Sequence, residues 1–191
     1  MKKKIFYIAI IVICLSIITG GTFAYYTATD TARNVIISGG VDVKVAEYQM
    51  VDGTMQNYPS QPIKVMPATS VSKVVTAKSL ENDAWLRMTY SLEIYDSEGK
   101  LMDVSAEEME RFIIVKLLTE DWEYKDGWWY YIKAIGGGEE TSPLINEIEF
   151  SGPEMGNEYQ ESTLLVVVTA QAVQKANNGE TVWEALGWPA V

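Results

Sequence analysis

Between Ala84 and Tyr95 the chain alternates without a fault. Ala84, Leu86, Met88, Tyr90, Leu92 and Ile94 fall on one side, and Trp85, Arg87, Thr89, Ser91, Glu93 and Tyr95 on the other. A period of two belongs to an extended strand whose apolar face must be covered by a second layer. A fold built around it needs other strands, and the sequence supplies them. Val41, Val43 and Val45 alternate with Asp42 and Lys44, while Ser70 to Ala77 follows the Met66-Pro67 break. Phe112 to Leu118 is an apolar run interrupted by Lys116. Trp128 to Ile135 follows Asp126-Gly127, a dipeptide suited to a tight hairpin. Leu144 to Phe150, Leu164 to Val173 and a short piece at Val35 to Ile37 bring the count to about eight. The prediction is an all-β chain, a jelly-roll-like β-sandwich spanning 41–191.

Helix is confined to short lids. Ser105 with Glu108 is a capping-box pair that starts a helix at Ala106 and carries it to about Arg111. Thr181 and Glu184 repeat the pattern and predict a second, with Trp183 and Leu186 on one face before Gly187. Gly136-Gly137-Gly138 lacks the spacing of a phosphate-binding loop, and the adjacent Glu139-Glu140 would repel phosphate, so it reads as a mobile connector. Arg87 lies away from the apolar side of its strand and is expected to pair with Glu93 or another surface acid.

The first residues form an address. Lys2 to Lys4 precede a largely apolar run from Ile5 to Ile18, and Thr22-Phe23-Ala24 places small residues where a signal peptidase cuts. Cleavage after Ala24 makes 1–24 a signal peptide and Tyr25 the first residue of the exported chain. The alternative is a retained anchor, since Ile5 to Tyr26 carries no charge and is long enough to span a bilayer. The single cysteine, Cys14, lies within that run, and there is no histidine. Histidine-based nucleophile systems and histidine zinc sites are thereby excluded, and no internal disulfide can form. Fifteen basic and 26 acidic residues give a net charge of -11, and loss of Lys2 to Lys4 takes it to -14. Nucleic acid is therefore not the partner.

Several segments together resemble one family. The lysine start, the Gly20-Gly21-Thr22-Phe23-Ala24-Tyr25-Tyr26-Thr27 end of the leader and Asp30-Thr31-Ala32 resemble the signal region of TasA and camelysin-like exported proteins, which depend on a SipW-type signal peptidase. Asn34 to Val45, Met66 to Lys73, Ala84 to Met88, Asp126 to Tyr131 and Ala170 to Gln174 resemble further parts of that family's chain. The resemblance implies a secreted jelly-roll protein of a Gram-positive bacterium, at the cell surface or in the biofilm matrix. It also implies self-association into fibres, with the N-terminal segment adding a strand to a neighbour. Here that segment is 25–40. Tyr25, Tyr26, Val35, Ile36 and Ile37 would fill apolar slots on an open sheet edge, and Gly39 and Gly40 would serve as the hinge. The alternative is that Val35 to Ile37 pairs within its own domain.

Camelysin-like relatives are described as metallopeptidases, a possibility the residues must meet. A usual zinc peptidase needs histidines and a glutamate base, and this chain has no histidine. Glu107, Glu108 and Glu110 read as a solvated helix face. Glu147 and Glu149 share a strand face and are placed to meet a hard cation such as calcium, although alternation with Ile148 and Phe150 already explains them. No catalytic set can be assembled, so the expectation is a protein that is not an enzyme.

A contact platform is more distinct. Trp122 and Tyr124 precede the Asp126-Gly127 turn, and Trp128, Trp129, Tyr130 and Tyr131 follow it. One face of this hairpin joins the core, and the other serves cross-strand stacking, a neighbouring subunit or the sugar rings of a matrix or cell-wall polymer. A monomeric surface-binding module using that hairpin is thus the alternative to fibre assembly.

Overall fold

Alternation along these segments produces ten strands and one helix in the computed structural model, which describes residues 35–39, 41–59, 67–156, 159 and 161–189. The strands are β1 (Val35–Gly39), β2 (Val43–Val51), β3 (Thr54–Asn57), β4 (Ser70–Ser79) and β5 (Ala84–Tyr95). Helix α1 (Ala106–Phe112) precedes β6 (Ile113–Leu117), β7 (Trp122–Lys125), β8 (Trp128–Tyr131), β9 (Ile145–Phe150) and β10 (Thr163–Gln174). They form two five-stranded sheets, ordered β1-β10-β5-β8-β7 and β3-β2-β4-β9-β6. Every pairing is antiparallel except β1 with β10.

The two sheets share one core. Leu86 and Met88 of β5 and Ala170 and Ala172 of β10 face Val43 and Val45 of β2, Val75 and Ala77 of β4, and Ile145 and Ile148 of β9. Register explains the first group, since Met88 lies opposite Ala170 and Leu86 opposite Ala172, putting a large side chain beside a small one. At one end Phe112 stacks on Tyr159 with ring centroids 4.5 Å apart, and the Tyr159 hydroxyl donates to Glu108 at 2.8 Å.

The strand count of about eight falls short by β3 and β7. Thr54–Asn57 has no apolar face and is exposed throughout. It is created by its turn, where Asp52 and Gly53 both take positive φ and fold β3 back on β2. Helix α1 matches its expected start, and the Ser105 side chain accepts from the Glu108 N–H. The second expected helix is instead one turn. The Glu184 carboxylate reaches back to the N–H groups of Glu180 and Thr181, and positive φ at Gly179 and Gly187 closes the segment on both sides. Val182 and Ala185, rather than Trp183 and Leu186, provide its buried face.

The glycine loop is tied to the neighbouring backbone. Gly138 N–H donates to Ser79 O at 2.8 Å, and Ser79 N–H to Glu139 O at 3.1 Å. A Cβ on Gly137 would overlap the Glu81 carbonyl, so this close backbone approach requires glycine.

Candidate functional site

Two regions of the first sheet hold the described residues singled out by sequence: its β1 edge and the hairpin β7-β8. At the edge, β1 runs parallel to β10 in a register from Val35 opposite Thr169 to Gly39 opposite Val173. The backbone of Val35, Ile36 and Ile37 is therefore paired within its own chain. Gly39 is the last residue of the strand. Ala24, Tyr25, Tyr26 and Gly40 lie outside the described residues. Parallel neighbours cannot be joined by a tight turn, so β1 is held to the sheet by its ladder and the chain that follows it.

The hairpin divides its aromatics between two faces. Trp122 lies opposite Tyr131, and Tyr124 opposite Trp129, with ring centroids 5.0 Å apart in both pairs. Trp122 and Tyr131 are buried in the main core, Trp129 packs at its margin, and Tyr124 stays 60% exposed. Trp128 and Tyr130 point the other way. They join Trp85, Val173, Val182 and Ala185 in a separate cluster on the outside of the sheet. The chain from Asn178 to Pro189 lies over this cluster as a strap. The Asn178 amide brackets Leu186, accepting from its N–H at 2.8 Å and donating to its carbonyl at 3.0 Å.

Arg87 stands at the centre of that second cluster. Register places Gln171 and Tyr130 directly beside it on the two neighbouring strands. Arg87 Nε and Nη2 donate to Gln171 Oε1 at 2.9 and 2.6 Å, and Nη1 donates to the Tyr130 hydroxyl at 2.9 Å. The guanidinium lies 4.4 Å from the Trp128 ring and 4.6 Å from that of Trp188. The expected pairing with Glu93 does not occur, because Glu93 accepts from the Tyr95 hydroxyl. The strap covers the outer face of β5 at Trp85 and Arg87 and surrounds the guanidinium with rings and neutral acceptors. Trp85, Gln171, Trp183 and Trp188 were the site residues that pattern reading passed over. The signal for them was Arg87 on a strand that also carries Trp85, together with two tryptophans, Trp183 and Trp188, near the C-terminal end.

Two of the candidate carboxylates, Glu149 and Glu108, have separate partners. Glu149 pairs with Lys116 at 2.8 Å, which raises the Lys116 pKa, chiefly through that hydrogen bond. Glu108 accepts from Tyr159, and Glu140 accepts from Tyr48 and Thr76. Burial is the main cause of a raised Tyr48 pKa, with the Glu140 hydrogen bond adding to it. Lys133 pairs with Asp121 at 2.6 Å and holds that carboxyl below its ordinary range.

Residues 1–59 match the family described as camelysin metallo-endopeptidase. The likeness read over most of the chain is thus found over its N-terminal part. No curated protein and no solved structure matches the chain. The metal implied by that family description does not fit the donors seen here. The sequence has no histidine, and among the described residues no three Asp, Glu, Cys or His side chains gather as a metal-binding group.

Proposed function

We propose that this chain is a secreted structural protein of the cell surface or biofilm matrix that assembles by exchanging its N-terminal strand between copies. The observation that carries this reading is β1, a short parallel strand at a sheet edge whose only strand partner among the described residues is β10. The same slot on β10 would accept β1 from a neighbour with identical backbone pairing, so exchange exchanges like for like. The match of residues 1–59 to an exported family and the Thr22-Phe23-Ala24 cleavage pattern support passage through a SipW-type signal peptidase. The two sheets fit a jelly-roll plan in which the non-consecutive neighbours β10-β5-β8 and β2-β4-β9 form the two central triplets. The role proposed is architectural, with no peptidase step.

Deleting residues 25–37 from the exported protein should abolish filaments while the two-sheet domain stays folded by circular dichroism. Filaments unchanged by that deletion would reject strand exchange. A second test uses the register itself. Ser38 lies opposite Ala172, so the S38C/A172C pair should trap a closed monomer when oxidised before assembly. Oxidised after assembly, it should yield covalent ladders between subunits, and their absence from intact filaments would remove the mechanism.

A further inference from the structure

We infer that the strap-covered aromatic face around Arg87 is a binding site for an anionic sugar carrying a carboxylate, a role independent of strand exchange. Three cations converge on this face in a chain whose net charge is -11. Arg87 stacks on Trp128 and Trp188, Lys125 lies 5.3 Å from the Trp183 ring, and Lys175 lies 5.8 Å from that of Trp85. Among the described residues none of the three forms an ion pair; the lysines that do are Lys73, Lys116 and Lys133. Glu123 shares the outer side of β7 by alternation and pairs with none of them, while Glu184 is engaged by backbone N–H groups.

The buried polar groups also have donors to spare. Gln171 is fully buried and spends its oxygen on Arg87, leaving Nε2 without an acceptor. The indole N–H of Trp85, itself buried, has none either. All acceptors on Arg87 are neutral, and the longest of its hydrogen bonds, 3.4 Å from Nη2, goes to the Pro189 carbonyl of the strap. A carboxylate taking that carbonyl's place would turn a long neutral bond into a charge-assisted one. Trp183, 41% exposed and stacked on Tyr130 at 5.0 Å, offers a ring beside the box for the apolar side of the sugar. Fixed donors select the acid, and the ring selects the sugar.

The test is a fluorescence titration of the exported protein with a glucuronate trisaccharide, a neutral glucose trisaccharide and glucose 6-phosphate. A saturable indole response to the uronate alone, weakening as salt rises, is expected. Arg87→Met should weaken it by about tenfold or more, as loss of a charge-assisted hydrogen bond requires. Trp183→Ala, at an exposed position, should weaken binding with the thermal melt unchanged and so separates recognition from folding. Equal binding of the neutral trisaccharide, no saturable response to any probe, or undiminished affinity in both variants would overturn the site. Preference for the phosphorylated sugar would overturn the assignment of a carboxylate.

Discussion

Two cations are buried among the described residues, Lys73 and Arg87, and they are accommodated by opposite means. Lys73 pairs with Glu47 at 2.9 Å, with both side chains nearly sealed from solvent and the Tyr58 ring 3.9 Å from the ammonium. Arg87, equally sealed, has indole faces and neutral oxygens instead of a counter-ion. The contrast follows from the two head groups. An ammonium is compact and strongly hydrated, so burial demands a full opposite charge, whereas a guanidinium is planar, more weakly hydrated and able to stack while it donates at its edge. One region therefore depends on a matched pair, and the other on a layered stack that an added segment of chain must complete.

Breaking the pair should have the largest effect. Glu47→Gln leaves Lys73 buried without its counter-ion and should cost about 3–5 kcal/mol in urea unfolding. Replacing both partners, as Lys73→Met with Glu47→Leu, should recover most of that loss, because two apolar side chains leave no charge behind. Arg87→Met should cost less, about 1–3 kcal/mol, since it removes the charge together with its hydrogen bonds and leaves the Gln171 oxygen unpaired. Its tryptophan emission should shift to the red as the strap loosens. A cost for Arg87→Met above that for Glu47→Gln would reverse the contrast.

Two smaller changes set the scale away from buried charge. Ser105→Ala removes the acceptor of the Glu108 N–H at the start of α1 and should cost about 1 kcal/mol, read from the same unfolding curves. The Asp121-Lys133 pair, half-buried at the carboxylate and exposed at the ammonium, should have the least effect. Its depressed carboxyl pKa means that the pair's contribution is intact above the ordinary aspartate range and fades only as pH falls through the lowered folded value. A carbon-detected titration of Asp121 checks the sign, and an apparent pKa above that of a free aspartate would contradict it.

Legibility in the sequence followed what each residue responds to. Ala84–Tyr95 declared itself because its apolar face answers to the core, and the register with β10 then follows from side-chain size. Helix α1 was readable because its cap is local; the same Ser/Thr-x-x-Glu signal at Thr181 does bring Glu184 back to the Thr181 N–H, but positive φ at Gly179 and Gly187 confines the segment to one turn. Strand β3 has no hydrophobic signature and was marked only by Asp52-Gly53, the same kind of turn that revealed the β7-β8 hairpin. Arg87 could not be placed from its neighbours in sequence. Its surroundings come from β8, β10 and the strap, and pattern reading along one strand cannot see a cover that arrives from the far end of the chain.

The parallel ladder of β1 also fixes an order of events in time. Its partners, Thr169 to Val173, are synthesised about 130 residues after Val35, which at roughly 5–20 residues per second is a delay on the order of ten seconds. For that interval β1 lacks the β10 backbone it pairs with, while β2, β4 and the hairpins can already close locally. A newborn chain thus carries an unsatisfied ribbon at its leading end, and whichever matching groove it meets first, its own or another's, decides its fate.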